Sequence, residues 1–116
     1  MSPPRASVAA QIRDAAPLFA ALGDETRLAV LLRLASGGPG SISHLSAKAS
    51  VSRQAIKKHL DVLEDAGLVR GIRQGREHIW QLETRRLVDA QTYLGKISAQ
   101  WDDVLERLRN FVENDE

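Results

Sequence analysis

The stretch SRQAIKKHLDVLEDAGLV, residues 52–69, decides the fold. Ser52 is a residue type that favours the N-cap of a helix, and an amphipathic pattern follows it. Ile56, Leu60 and Leu63 recur three or four residues apart, so they share one helical face. The pattern predicts a helix that buries this face and turns its polar side to solvent.

The charges of this predicted helix are divided along its length rather than mixed. The basic residues occupy the first two turns and the acidic residues follow; they are Arg53, Lys57, Lys58 and His59, then Asp61, Glu64 and Asp65. The first turns of a recognition helix lie between phosphate backbones, and its later turns lead away from DNA. The division therefore favours insertion of the helix, N-terminus first, into a major groove.

A second, shorter helix is predicted just before this one. Ser41 and Ile42 suggest a very short edge strand, and Ser43 can cap a helix of about two turns ending near Ala49. Only a tight turn at residues 50–51 then precedes Ser52. Two helices joined so closely form a helix-turn-helix candidate.

The segment LVRGIRQGREHIWQL, residues 68–82, predicts a β-hairpin with its turn at residues 74–76. Gly67 ends the preceding helix in the manner of a C′ glycine. Trp80 is expected to anchor the returning strand in the core. Arg73 and Arg76 should project into solvent at the tip, which makes the hairpin a wing.

The N-terminal third predicts scaffold helices. A helical pattern begins near Val8, Pro17 is expected to interrupt it, and a fresh segment should run to Gly23. Asp24 is a good N-cap for the next helix. The expected apolar face of that helix consists of Leu28, Leu31, Leu32 and Ala35.

Residues 84–113 predict one long helix with two apolar rows, each with a seven-residue repeat. At about 1.5 Å per residue the helix would be roughly 40 Å long, more than a small domain needs to cover its own core. We expect it to pair with a second copy of the chain. The predicted dimerisation residues are Leu87, Leu94, Ile97, Trp101, Val104, Leu108 and Phe111.

The predicted fold is mainly α with a small β-hairpin wing, a winged helix-turn-helix with a long terminal dimerisation helix. We interpret residues 1–116 as one such domain. Its parts are the N-terminal helices at 7–36, the helix-turn-helix at 41–66, the wing at 68–82 and the C-terminal helix at 84–113.

Composition narrows the functional classes. The chain has no cysteine, which excludes disulfides, thiolate metal sites and cysteine nucleophiles. The three histidines lie on separate predicted elements and form no catalytic constellation, so we expect neither an enzyme nor a cofactor. No apolar run is long enough to cross a bilayer and no secretory signal is recognisable, which predicts a cytoplasmic protein without a membrane partner.

The predicted partner is double-stranded DNA. Arg53 and Lys57 have donors suited to guanine, and Gln54 could pair with adenine. Lys58 and the wing arginines suit phosphates, while His59 suits packing or a phosphate contact. The expected DNA-binding residues are Ser52, Arg53, Gln54, Lys57, Lys58, His59, Arg73 and Arg76.

Three segments, taken in order, resemble the ArsR-type winged-helix repressors of bacteria. They are ALGDETRLAVLLRLA at 21–35, HLSAKASVSRQAIKKHLDVLEDAGLV at 44–69 and RQGREHIWQL at 73–82. The resemblance covers nearly the whole chain. It implies a homodimeric transcriptional regulator, most simply a repressor, that binds an inverted repeat through paired recognition helices.

The chain also departs from that family's metal sensors. Ser41, Ile42 and Ser43 stand where many relatives have a cysteine pair, and no histidine follows His78, so we expect no metal site of either kind. Two alternatives stay open. One is a winged helix used as a protein-interaction module. The other is a regulator that responds to a small-molecule effector, or to a hard metal held by carboxylates such as Asp89, Asp102 and Asp103. The sequence identifies neither the operator nor any effector.

Overall fold

The computed structural model describes residues 7–47 and 50–114 and confirms the mainly helical architecture with a small wing. Five helices and three strands make up this part of the chain. They are α1 (Val8–Leu22), α2 (Glu25–Gly37), β1 (Gly40–Ser41), α3 (Ile42–Ser46), α4 (Arg53–Asp65), β2 (Val69–Gln74), β3 (Glu77–Leu82) and α5 (Thr84–Asn114).

Helix α1 is continuous, so the predicted interruption at Pro17 is wrong. Proline cannot donate the backbone hydrogen bond to the residue four positions earlier, which is Arg13. Both residues lie on the exposed side of the helix, where water can solvate the freed carbonyl. The buried side runs through Ala15, Leu18 and Ala21 without a break, and its packing holds the two halves in one helix.

Asp24 caps α2 as predicted, but the helix buries a different face from the one expected. The Asp24 carboxylate accepts a hydrogen bond of 2.9 Å from the Arg27 backbone N–H. Leu31 is buried, whereas Leu28 and Leu32 are exposed. The buried face consists of Val30, Leu31 and Leu34. Two overlapping apolar rows share Leu31, and the sheet and α4 cover only one of them.

The short strand and the helix after it begin earlier than predicted. Strand β1 ends at Ser41, and the Ser41 hydroxyl caps α3 by accepting from the His44 N–H at 3.2 Å. Ser43 therefore lies inside α3 rather than at its N-cap. The helix has five residues instead of two full turns. The predicted end at Ala49 falls outside the described residues.

The three strands form an antiparallel sheet in the order β1–β3–β2, with Trp80 on the central strand. Trp80 is fully buried, as predicted, and its neighbours across the sheet are Gly40 and Gly71. The His78 ring stacks on the indole with a centroid separation of 4.6 Å. Gly71 makes this possible because a Cβ there would overlap the imidazole.

Helix α5 gives the subunit its elongated outline of 69 × 42 × 20 Å. Its first turns pack on the core through Leu87 and Ala90, and the rest extends beyond it. Within residues 7–47 and 50–114, no helix combines the length and apolar character that a bilayer crossing requires.

Candidate nucleic-acid interface

Helix α4 is fixed at both ends and along its inner side. The Ser52 hydroxyl accepts from the Ala55 N–H at 3.1 Å, which satisfies a donor at the start of the helix. Ile56, Leu60 and Leu63 are fully buried, as the sequence predicted. The helix is thus held as a rigid element of the subunit.

The far end of α4 closes in a Schellman motif. The Leu68 N–H donates to the Leu63 carbonyl and the Gly67 N–H to the Glu64 carbonyl, both at 2.9 Å. Gly67 adopts a φ of +78°, a conformation that a glycine takes without strain. The chain therefore turns directly from α4 into the wing.

Three polar or cationic side chains of α4, Arg53, Gln54 and Lys58, are exposed to solvent; we call these three residues the reading face. In the described ranges 7–47 and 50–114, none of the three side chains forms a hydrogen bond or an ion pair. The reading face therefore has its donors and acceptors available for a ligand.

Lys57 has a different environment from the reading face, although the sequence grouped it there. Its ammonium forms an ion pair with Asp61, one turn along α4. The same Nζ lies 5.5 Å from the centroid of the Trp80 ring. Lys57 is half-exposed, and a contact with DNA would require it to leave Asp61.

His59 joins α4 to the corner between α1 and α2. Its side chain is 23% exposed, and Nδ1 lies 3.4 Å from a guanidinium nitrogen of Arg27 and 3.8 Å from a carboxylate oxygen of Asp24. The backbone hydrogen bond from Arg27 holds the pKa of the Asp24 carboxyl below its usual range. His59 consequently contacts the corner between α1 and α2 rather than standing free on the surface of α4.

Two arginines that the sequence analysis did not single out hold the helices around α4. Arg27 donates to the carbonyls of Ala20 and Ala21, at 3.3 and 2.7 Å, and so closes the end of α1. Arg33 donates to the carbonyls of His44 and Leu45 in the short helix α3. Neither contact has a local sequence signal, because each donor and its acceptors are six or more residues apart.

The wing carries two further exposed cations, and one of them lies beside α4. Gly75, with a φ of +62°, forms the two-residue turn together with Arg76, and both Arg73 and Arg76 are exposed. Arg76 lies close to the start of α4. Arg76 and Arg53, the first residue of α4, line one cavity of about 250 Å³, which we call the junction cavity. Its walls are formed by Ser41, Ile42, Ser43, Arg53, Arg76, Glu77 and His78.

A separate surface, on α5, exposes large apolar side chains. From Leu94 onwards the predicted dimerisation residues are between 42% and 68% exposed, and we call this part of the row the outer seam. Leu87 differs from them because it packs on the subunit's own core. The outer seam consists of Leu94, Ile97, Trp101, Val104, Leu108 and Phe111.

Helix α5 is tied to α1 at its base, another contact that the sequence did not reveal. Arg86 donates to the Asp14 carboxylate at 3.2 Å and to the Asp89 carboxylate at 2.8 Å. The Tyr93 hydroxyl also donates to Asp14, at 3.2 Å. Burial, followed by this contact with Asp14, raises the pKa of the Tyr93 phenol. These bonds set the direction in which α5 leaves the core.

Asp89, one of the carboxylates considered as a hard-metal ligand, is thus paired with Arg86. Among the described residues, no group of three or more histidine, aspartate or glutamate side chains is arranged to hold a metal ion.

Comparison with known proteins identifies the family. Residues 22–72 match a helix-turn-helix domain family. The HTH-type transcriptional regulator Rv2034 of Mycobacterium tuberculosis is 33% identical over 95 residues, which are 82% of this chain and 85% of the relative.

Two solved structures share the fold. An ArsR-like transcriptional regulator from Rhodococcus sp. RHA1 is 35% identical, with a TM-score of 0.81 over 93% of this chain and 98% of that chain. A homodimeric winged helix-turn-helix DNA-binding domain from Mycobacterium bovis, a possible ArsR-family regulator, is 19% identical. Its TM-score is 0.65 over 86% of this chain and 92% of that chain, and at this identity it supports the fold alone. The protein belongs to the ArsR-type winged helix-turn-helix transcriptional regulators.

Proposed function

We propose that the protein is a homodimeric repressor that binds a two-fold symmetric operator and occludes a promoter. The observation that carries the proposal is the reading face, three exposed and unpaired polar or cationic side chains on a helix whose apolar side is fully buried. Such a helix can enter a major groove without rearrangement of the subunit.

We assign different roles to the side chains of the reading face and to the residues around it. The Gln54 amide supplies the donor and acceptor pair that adenine presents in the major groove. Lys58 and, on the wing, Arg73 are cations suited to contacts with phosphates. Ser52 belongs to the proposed interface because it caps the end of α4 that would enter the groove. Lys57 joins these residues only if it exchanges Asp61 for DNA, and His59 acts by holding α4 in place.

The outer seam supports the dimer. Its exposed side chains form a continuous apolar row along the part of α5 that lies beyond the core. An apolar cavity of about 360 Å³ between α1 and α5 continues this surface, with Val8, Ile12, Phe19 and Ile97 in its walls. Pairing with a second copy would bury the seam and this cavity together, and the homodimeric relative from M. bovis shares the fold.

A two-fold dimer would place its two α4 helices about one helical turn of DNA apart, roughly 34 Å, so that each meets a successive major groove. The operator is then an inverted repeat. Neutralisation of several phosphates by Lys58 and the wing should make binding weaken steeply as salt rises.

The experiment has two stages. Genome fragments bound by the purified protein are first recovered and sequenced to define the operator. Fluorescence anisotropy then compares wild type with Gln54→Ala and Lys58→Ala on the operator and on single-base-pair variants. We expect Gln54→Ala to lose discrimination at one position in each half-site. Lys58→Ala should weaken binding to all duplexes alike, by about three- to tenfold. The slope of log affinity against log salt concentration, which we call the salt slope, should decrease in magnitude by about one.

Arg13→Ala is the matched control. Arg13 is an exposed cation beside the C-terminal end of α4, away from the reading face, and its loss should leave operator affinity unchanged. Failure of the wild-type protein to retain any duplex at low salt, with recovery of an acidic protein partner instead, would favour the protein-interaction module and overturn the proposal.

A further inference from the structure

The junction cavity is lined by two arginines from elements that are distant in the sequence. Arg53 is the first residue of α4, and Arg76 is in the turn of the wing. In the described part of the chain neither forms an ion pair or a hydrogen bond. An anion placed in the cavity would be attracted by both unpaired cations.

The cavity has the donors that a phosphate requires. Besides the two arginines, the hydroxyl-bearing residues Ser41 and Ser43 line it. Ser41 uses its oxygen to accept from the His44 N–H, which leaves its own hydroxyl proton free to donate. The imidazole of His78 is held by stacking on Trp80.

The formal charge of the residues that line the cavity favours one kind of phosphate. Two arginines and Glu77 sum to +1, which matches the single negative charge of a phosphodiester. Inorganic phosphate or a phosphorylated side chain carries about −1.5 to −2 at pH 7, and Glu77 would oppose the additional charge. The chemistry therefore favours a phosphate of the DNA backbone.

The position of the cavity points to the same ligand. With α4 in a major groove, a wing tip close to the start of α4 would lie beside the strand that borders the groove. A side chain that shares a cavity with the wing tip is at this border rather than over the groove floor, where base edges are read.

We propose that Arg53 and Arg76 together bind one phosphodiester of the operator backbone, and that Arg53 does not read a base. Sequence discrimination then depends on Gln54. This inference rests on the proposed DNA-binding function, and it replaces the guanine contact that the sequence suggested for Arg53.

The test measures operator affinity and its salt dependence for Arg53→Ala, Arg76→Ala and the double variant. Each single variant should bind about tenfold more weakly on operator and unrelated duplexes alike, so that the ratio between the two stays unchanged. Because both arginines bind the same phosphate, the double variant should be weaker by far less than the product of the single effects. Its salt slope should fall by about one rather than by about two.

A set of operator duplexes, each with one backbone phosphate replaced by an uncharged methylphosphonate, locates the contact. On one of these duplexes Arg53→Ala and Arg76→Ala should both lose their effect. Arg73→Ala is the matched control, since Arg73 is an exposed wing arginine that does not line the cavity, and its effect should persist on that duplex. Exchange of chloride for inorganic phosphate at constant ionic strength should not change the affinities.

Each outcome decides a separate question. Selective loss of discrimination at one G·C pair in Arg53→Ala, or salt slopes that add to about two, would overturn the shared phosphate and leave the DNA-binding function intact. Specific competition by inorganic phosphate that is lost in Arg53→Ala would assign the cavity to the free ion instead. Absence of duplex binding by the wild-type protein would overturn the proposed function itself. Both arginines are exposed and unpaired, so circular dichroism should show every variant to be folded.

Discussion

Helices α4 and α5 are both amphipathic, but their apolar faces have opposite environments. In α4, Ile56, Leu60 and Leu63 are fully buried within the subunit. In α5, the outer seam is 42–68% exposed along its whole length. The same periodic pattern therefore produces one apolar face that is covered within the chain and another that the chain leaves exposed. The difference teaches that the subunit fixes the reading face by itself, whereas in the proposed dimer the spacing between two reading faces would depend on α5.

The largest effect is expected from charges on the outer seam. The double substitution Ile97→Glu and Trp101→Glu would place unpaired carboxylates in the proposed dimer interface, where their desolvation is unfavourable. We expect the dimer dissociation constant to rise by at least about 100-fold, as measured by analytical ultracentrifugation. The far-ultraviolet circular dichroism of the core should persist.

Ala99→Glu serves as the control for this substitution. Ala99 is exposed on α5 between the two mutated positions but belongs to neither apolar row. Its replacement should leave the dimer intact. An undiminished dimer in the double variant would show that the outer seam is not the interface.

A matched pair of leucines sharpens the contrast between the two helices. Leu60→Ala in α4 should create a core cavity and lower the free energy of unfolding by about 3 kcal/mol at every protein concentration. Leu108→Ala in α5 should lower stability only through dimerisation, so its effect should shrink and then vanish as protein concentration falls below the dissociation constant of the wild-type dimer. Urea unfolding over a concentration series separates the two. Equal, concentration-independent losses would mean that α5 packs within its own subunit.

The N-cap of α4 tests how firmly the subunit holds the reading face. Ser52→Ala removes the hydroxyl that accepts from the Ala55 N–H and should cost about 1 kcal/mol of stability. Ser52→Asp retains a capping acceptor and should restore the stability, while its negative charge weakens DNA binding. Thermal unfolding and anisotropy, measured on both variants, distinguish the cap from the DNA contact.

The smallest effect concerns the corner that supports α4 through His59. The folded-state pKa of Asp24 is lowered from 3.8 by the Arg27 hydrogen bond, so its contribution to stability is complete above that value and is lost as pH falls through the lower pKa. Asp24→Asn keeps a capping oxygen but does not titrate. Between about pH 5 and pH 2.5, wild type should therefore lose more stability than the variant in urea unfolding. Equal losses of stability in wild type and variant would show that ionisation of Asp24 does not contribute to stability.

Local signals made most of the fold predictable. Ser52, Asp24 and Gly67 act within a few residues of themselves, and their roles as caps follow from residue type and spacing. The wing was predictable for the same reason, because its turn and its alternating strands are contiguous. Pro17 was misread because a local rule for proline does not include the packing of Leu18 and Ala21 that keeps α1 continuous.

Features that depend on distant contacts were not predictable. Periodicity could not decide between the two apolar rows of α2, since the choice depends on where the sheet lies. Arg27, Arg33 and Arg86 bind groups on other elements, and nothing in their local sequence distinguishes them from solvated arginines. The ion pair of Lys57 with Asp61 was allowed by their four-residue spacing, but the proximity of Lys57 to Trp80 required the folded sheet.

The central claim is that two subunits, joined along α5, present their α4 helices to one operator. The most direct test is the mass of the free protein and of its complex with operator duplex, measured by light scattering coupled to size exclusion. We predict twice the chain mass of 12.8 kDa for the free protein and two chains per duplex in the complex. A single chain in both measurements would contradict the account.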